Sequence, residues 1–388
     1  MLNKAVVLGA TGTIGRVIVK DLVESGVEVV AADLHLPKLE ELKKWTNNKI
    51  EIEILNIKDK EKTQEVISRG QVCVNATNYI FNIEVMRAAA AVGVSVLDLG
   101  GLYKLTNEQL KLDQEMKDAN ILSIVGMGSD PGTSNIFSRY GVEMLDSAEE
   151  IHIRFGSTTS GATFAFAVDT YIDEALKNAL VVKDGELKEI PPLSDEEFTV
   201  FHDDIGIQKT YSIIHSELAT LHRSFPEVKH ITYKDSWDPS TIEKIRTLQS
   251  LGLLETEAIE IAGNSVVPRR QTVSLLQTIL AAKEKPEWGK DDLLIEVKGV
   301  KNGNNVTIKI ELLTDYQPQW NVSPTQYGTA IPASIAAQMI LNGEVAEKGV
   351  KPAEQCIDPV KFLSYLNEKN IEVNITVSET QKLQSVLV

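Results

Sequence analysis

The segment Lys4 to Asp33, KAVVLGATGTIGRVIVKDLVESGVEVVAAD, commits the start of the chain to a strand–helix–strand unit. An apolar run, Ala5 to Leu8, stops at Gly9, and Gly12 and Gly15 follow at three-residue steps. Ile14, Val17, Ile18 and Leu22 then keep helical spacing up to Gly26, and a second apolar run ends on Asp33. A dinucleotide-binding unit requires this order. Glycine permits the tight turn out of the strand, brings backbone close to a pyrophosphate and lets helix pack on sheet. The helix start presents unpaired N–H groups to phosphate, and an acid on the second strand accepts hydrogen bonds from ribose hydroxyls. The expected cofactor contacts are Gly9, Gly12, Thr13, Ile14, Gly15 and Asp33, joined by Ala76, Thr77 and Asn78 after the fourth strand. Asp33 would repel a 2′-phosphate, and Leu34, His35 and Leu36 bring no arginine or lysine to receive one, so NAD is expected over NADP.

Strand and helix signals keep alternating beyond Asp33. Ile50 to Leu55, Gln71 to Ala76, Val94 to Leu99 and Ile121 to Val125 read as strands. Between them lie helices at Lys60 to Ser68 and Ile83 to Val92, and one opened by a Thr106/Gln109 capping box. This is the grammar of an α/β, doubly wound parallel Rossmann sheet filling residues 1–135, with ligand along the strands' carboxyl ends. After Asn135 polar and apolar residues alternate from Glu150 to Phe155, and Asp184-Gly185 and Asn302-Gly303 mark tight hairpins. Helices are expected over Tyr211 to Arg223, behind a Ser240/Glu243 capping box, and from Pro268. Residues 136–325 therefore predict an inserted α+β substrate and dimerisation domain on an antiparallel sheet. The tail, 326–388, with helices over Ser334 to Leu341 and Pro359 to Lys369 and a strand over Ile371 to Val377, is expected to pack back on the first domain.

Composition narrows the partners. The chain has 388 residues and a net charge of −16, which argues against nucleic acid and anionic membrane surfaces and favours a cationic small molecule. Cys73 and Cys356 are the only cysteines and lack metal-ligand spacing, so no metal is expected. No apolar run approaches membrane-spanning length, and the first strand leaves no room for a signal peptide. A cytoplasmic protein is the expectation.

Chemistry in such a fold gathers after strands four, five and six, which end in NATNY (75–79), DLGG (98–101) and GMGSDPGTSN (126–135). Asp98 closes a strand beside two glycines. Asp130 sits among glycines and a proline at the cleft mouth, where it either works on substrate or only shapes the turn. VLGATGTIG, Asp33, VNATNY, VLDLGG and GSDPGTSN together resemble the saccharopine dehydrogenase family. YSIIHSELATL (211–221) is similar to that family's HSE-x-x-TL stretch, and the tail from Gly328 to its closing helices. Within the family the length and these segments look most like the lysine 6-dehydrogenase type.

The resemblance implies a homodimer and oxidation of an amine carbon, for lysine the ε-carbon, giving 2-aminoadipate 6-semialdehyde and ammonia. Such chemistry needs a proton acceptor for the amine and a group to activate water. Asp130 matches the aspartate of the family's DPG motif and is the first candidate for proton transfer. His215 is the second, because histidine titrates near neutral pH, and Asp98 the third. Glu217 and Tyr211 are substrate candidates, although His215 and Glu217, two apart on an expected helix, would not share a face. A substrate carboxylate calls for an arginine: Arg270 foremost, with Arg269 and Arg154 as the other choices. Two rival functions stand beside amine oxidation. One is reductive condensation of an aldehyde with an amine, as in the carboxynorspermidine and saccharopine-forming branches; the other is a non-catalytic NAD-binding sensor.

Overall fold

Ala5 to Leu8 are at most 1 % exposed, as a strand sandwiched between two helical layers must be. The computed structural model describes residues 3–159, 168–281 and 288–380. Its first part runs β1 (Lys4–Leu8), α1 (Gly15–Glu24), β2 (Glu28–Asp33), α2 (Leu36–Trp45), β3 (Ile50–Ile54), α3 (Lys60–Ile67) and β4 (Val72–Asn75). There follow α4 (Asn82–Val92), β5 (Ser95–Asp98), α5 (Tyr103–Leu110), α6 (Asp113–Asp118), β6 (Leu122–Val125) and α7 (Thr133–Glu143). The second part comprises β7 (Ser147–Ser157), α8 (Val168–Leu176), β8 (Ala179–Lys183), β9 (Glu186–Ile190), β10 (Ser194–Val200), β11 (Ile207–Ser212), α9 (Leu218–Ser224) and β12 (His230–Asp235). It continues with α10 (Pro239–Ser250), β13 (Ile259–Ile261), β14 (Asn264–Val266), α11 (Pro268–Ala281), β15 (Lys290–Lys301) and β16 (Asn304–Asp315). The tail holds α12 (Pro324–Leu341), β17 (Gly349–Pro352), α13 (Ala353–Cys356), α14 (Pro359–Glu368) and β18 (Glu372–Thr380).

The first sheet is parallel, in the order β17-β6-β5-β4-β1-β2-β3. That is the doubly wound arrangement whose strand order reverses at β1, with ligands taken at the carboxyl ends. The second sheet is built around β10-β11-β12-β7-β15-β16-β18. It is antiparallel except where β12 runs parallel to β7. Both hairpin signals form as expected: Asp184 and Gly185 have φ of 57° and 78°, Asn302 and Gly303 of 49° and 79°, the left-handed values of a type I′ turn. The tail serves both layers. Helix α12 lies against α1 and β17 extends the parallel sheet, but β18 pairs with β16 in the mixed sheet. The expected grouping of all of 326–388 with the first domain therefore holds for α12 and β17 but not for β18, which belongs to the mixed sheet.

Register decides what the mixed sheet shows to the cleft. Asp235 is paired with Phe155 and Phe155 with Leu293, while Ser157 is paired with Asp291 and Asp291 with Thr314. Paired residues and their alternate neighbours share one face. Tyr233, Asp235, Phe155, Asp291 and Thr314 therefore look the same way, and Tyr233 meets Asp130 of the first domain there. Arg154 and Lys234, one residue out of step, look to the other side, where Lys234 Nζ lies 2.8 Å from Glu197 and Arg154 donates to the same carboxylate.

Four helix starts differ from expectation, one of them α12, which begins at Pro324 behind the N-cap Ser323 rather than at Ser334. Thr106 and Gln109 lie inside α5, which begins at Tyr103, so they form no capping box. Helix α10 is capped by Asp238 with Pro239 at its first position, leaving Ser240 one residue inside. The helix expected over Tyr211 to Arg223 begins only at Leu218, because Tyr211 and Ser212 end β11. No helix among the described residues is long and apolar enough to cross a membrane.

Candidate active site

The cradle between β1, α1 and β4 is shaped by backbone. Gly9 has φ 71°, and a Cβ there would lie 2.7 Å from the Ala76 carbonyl oxygen. A Cβ on Gly15 would stand 2.2 Å from the Gly9 carbonyl oxygen. The Gly12 amide donates to the Gly9 carbonyl at 3.0 Å, and Thr13 leads to Ile14, at the start of α1, which no side chain caps. An uncapped helix start beside a turn that admits only glycine suits a pyrophosphate. Asp33 closes the site at the end of β2, accepting from the amides of Thr11 at 3.0 Å and Leu34 at 2.7 Å. Ala76 continues the ladder to Leu8, Thr77 donates to Asn75 at 2.6 Å, and Asn78 caps the turn at Tyr79–Phe81. The nine expected cofactor residues thus surround one cradle, and a dinucleotide fits it.

A second set of groups meets at the mouth. Gly100 and Gly126 leave room for Pro131, since a Cβ on either would come within 2.8 Å of that ring or closer. Pro131 in turn seats Asp130. Asp98 arranges this from below: its carboxylate accepts from the Gly100 and Gly126 amides at 2.8 and 3.1 Å and from Gln109 at 2.6 Å. Asp98 is 2 % exposed and burial raises its pKa. With three donors on a buried carboxylate, Asp98 holds the loops that carry Asp130; this corrects its expected place among the proton-transfer groups.

Asp130 accepts hydrogen bonds from the Tyr233 and Ser129 hydroxyls. The His215 ring stacks on Tyr233 at 4.2 Å between centroids, its Nδ1 lies 2.5 Å from Glu217 Oε2, and its Nε2 lies 3.9 Å from Glu174. Because 213–216 is not helical and Glu217 is the N-cap of α9, His215 and Glu217 do converge, contrary to the helical expectation. Ser134 donates to Glu217 at 3.3 Å, and Asn135 ties the same end of α7 to Thr220 and to Glu354 of α13. Burial, partly offset by the His215 charge, pushes Asp130 up to about 6. His215 rises to about 10 because Glu217, Glu174 and Asp130 outweigh its burial. At neutral pH the pair is a carboxylate and an imidazolium. Burial likewise holds Glu174 and Asp235 well above the ordinary carboxylate range.

Asp130, His215 and Glu217 place ligand atoms within 4.8 Å of one another, a spacing that could hold a metal ion. The sequence expected none. In the present arrangement each of the three already has a protein partner: His215 Nδ1 bonds to Glu217, and the Tyr233 hydroxyl donates to Asp130.

The expected carboxylate anchors are placed otherwise. Arg269 turns inward to Asp169 and Asp173 at 2.6 and 2.7 Å, and Arg154 is held by Glu197. Arg270, the foremost candidate for a substrate carboxylate, is exposed on α11. Tyr211, opposite Asp235 in register, lines an open groove of about 710 Å³ with Glu196, Lys209 and Arg246. Tyr233, Glu174 and Asp235 are the site groups that sequence reasoning misses. The strand alternation of HITYKD carries the signal for two of them, since it sends Tyr233 and Asp235 to one face. Glu174 has no comparable mark. Tyr79 spans the cleft, donating to Asp173 at 2.7 Å.

The family model for the saccharopine dehydrogenase NADP binding domain matches residues 5–124, and that for the saccharopine dehydrogenase C-terminal domain residues 128–371. Carboxyaminopropylagmatine dehydrogenase of Synechocystis is 26 % identical over 68 % of this chain and 67 % of its own. Carboxynorspermidine synthase of Vibrio alginolyticus is 25 % identical over 89 % of this chain and 86 % of its own. Among solved structures, apo saccharopine dehydrogenase (L-Glu forming) of Saccharomyces cerevisiae superposes with a TM-score of 0.75 at 14 % identity, covering 96 % of this chain and all of that one. With cradle, acid cluster and both family domains in place, the chain belongs to the saccharopine dehydrogenase family and is an NAD(P)-dependent dehydrogenase acting on CH–NH groups.

Proposed function

We propose that the enzyme makes or breaks the C–N bond of a secondary amine within a polyamine-like cation, with NAD as the preferred nucleotide. The observation that carries this reading is the convergence of Asp130, His215, Glu217, Glu174 and Asp235. A cluster so rich in carboxyl groups favours ammonium groups. The names of the relatives that match most of the chain, carboxynorspermidine synthase among them, support the amine class. Asp33 supports NAD: its carboxylate ends β2, held by the Thr11 and Leu34 amides, and a carboxylate there would repel a 2′-phosphate.

In the condensing direction an amine and an aldehyde lose water to give an imine. The imine then takes one hydride and one proton to become the secondary amine. The bound nicotinamide supplies that hydride, or receives it in reverse. The protein supplies the protons. Asp130, ionised near neutral pH, takes a proton from the incoming ammonium and frees the lone pair that attacks the carbonyl. The Tyr233 and Ser129 hydroxyls that donate to Asp130 fix the orientation of its carboxylate. His215, protonated and held by Glu217, is the acid that helps the departing hydroxyl leave as water.

The test is formation of NADH from NAD, or of NADPH from NADP, followed by absorbance, with carboxynorspermidine, saccharopine and L-lysine. Turnover of carboxynorspermidine is the expected result. Turnover of L-lysine with silence on the two secondary amines would overturn this reading in favour of terminal amine oxidation.

A further inference from the structure

We propose that the small cavity at Asp291 is a second cation subsite, taking an ammonium group of the substrate remote from the reacting nitrogen. The inference rests on the amine reading above and narrows it to substrates carrying two or more separated positive charges.

The cavity lies where the mixed sheet meets the starts of α7 and α12. It is lined by Ser129, Thr133, Phe155, Asp291, Thr314 and Thr325 among others. Its volume is about 20 Å³, room for one water-sized group, and an ammonium is that size. Asp291 is 3 % exposed. Hydroxyls of Ser157, Thr159 and Thr325 donate to it at 2.5, 3.0 and 2.6 Å, yet among the described residues no lysine, arginine or histidine pairs with it. A buried carboxylate without a countercharge is costly. Burial pushes it up to about 6, which leaves it ionised at neutral pH and able to receive a cation.

Position links this cavity to the chemistry. Ser129 lines it and also donates to Asp130. Asp291 and Asp235 share one sheet face, two strands and two residues apart, roughly 12 Å between Cα atoms from strand spacing and rise. The charges of Asp130 and Asp291 both act on Asp235, so the acids form a row from the reacting centre to the cavity. A linear amine with a charge at each end matches that row; a single ammonium satisfies one end only. Thr133 and Thr314 add hydroxyl oxygens that can accept the remaining N–H bonds of an ammonium.

Calorimetric titration of the NAD-loaded enzyme with α,ω-diamines of three to seven carbons, against n-alkylamines of the same lengths, reads the second charge directly. The expected result is one diamine length bound about tenfold or more tighter than its monoamine, the scale of one hydrogen bond between charged groups. Asp291→Asn should reduce that preference to about twofold and leave monoamine affinity unchanged. Equal affinities for mono- and diamines in the wild type, or a preference that survives Asp291→Asn, overturn the subsite. If the variant does not fold, a crystal structure of the wild type with the best diamine decides. A nitrogen about 3 Å from the Asp291 carboxylate supports the proposal, and a diamine seated elsewhere refutes it. Charge-selective binding without turnover of any amine would instead sink the proposed reaction and leave the subsite standing.

Discussion

The dinucleotide cradle and the acid cluster are built on opposite principles. The cradle is backbone: Gly9, Gly12 and Gly15 matter because they lack a Cβ, and all but three of its residues come from one contiguous unit. The cluster is side chains from the loop before α7, from α8, from the start of α9 and from β12, brought together by tertiary packing alone. A site of the first kind is written locally, whereas a site of the second kind exists only once two domains have met. Four substitutions can break or sharpen this contrast.

Asp130→Asn tests the cluster at its centre and carries the largest expected effect. Removing a positioned proton acceptor should lower kcat by about 10² to 10⁴-fold while NAD affinity, measured by calorimetry, stays at the wild-type value. A normal kcat would remove Asp130 from the mechanism. A loss of NAD affinity of similar size would show that the two sites are not separable.

Gly15→Ala tests the cradle in the same way. The new Cβ would stand 2.2 Å from the Gly9 carbonyl oxygen, so the turn must move. Backbone strain of about 1–3 kcal/mol corresponds to an NAD Kd weaker by roughly fivefold to 150-fold. At saturating NAD kcat should recover to near the wild-type level. Unchanged NAD affinity with a native circular dichroism spectrum would mean that the glycine spacing is incidental.

The legibility of each region follows from the same contrast. Strand β1, the glycine turn, α1 and Asp33 are readable because local sterics and hydrophobic period determine them with little help from elsewhere. The Asp184-Gly185 and Asn302-Gly303 hairpins are readable for the same reason, since left-handed φ values select those residues. The stretch from Tyr211 to Glu217 is not. Strong helix formers from Glu217 onward extend the apparent helix upstream, although Ser212, Ile213 and Ile214 carry no commitment to it. Misplacing that one boundary separates His215 from Glu217, which in fact bond. Gln109 shows a further limit. It matches a capping-box spacing with Thr106, but its partner is Asp98, eleven residues away on a strand. Pairings across elements have no local period to reveal them, and Glu174 is invisible for that reason.

His215→Gln sharpens the comparison within the cluster, because a pH profile reports coupling among side chains. In the wild type kcat/KM should rise as Asp130 loses its proton near 6 and fall as His215 loses its proton near 10. These limbs belong to the coupled set. Without the imidazolium, which holds Asp130 down, the acidic limb should move to higher pH and the limb near 10 should vanish. Identical profiles for the two enzymes would show that His215 does not share a proton equilibrium with Asp130.

Asp33→Ala carries the smallest expected effect and tests the boundary between the two principles. Asp33 is a side chain, yet it is legible because it ends the contiguous unit and two local amides, Thr11 and Leu34, fix its carboxylate. If it acts chiefly by repelling a 2′-phosphate, its removal relaxes discrimination without creating a phosphate site, as no arginine or lysine follows in Leu34-His35-Leu36. The ratio of kcat/KM for NAD over NADP should then fall by about tenfold, mostly through a lower KM for NADP; that is close to 1.4 kcal/mol. An unchanged ratio would move selectivity away from β2, to groups that reach the ribose only in the folded cleft. Nucleotide choice would then be as illegible in the sequence as the proton-transfer set.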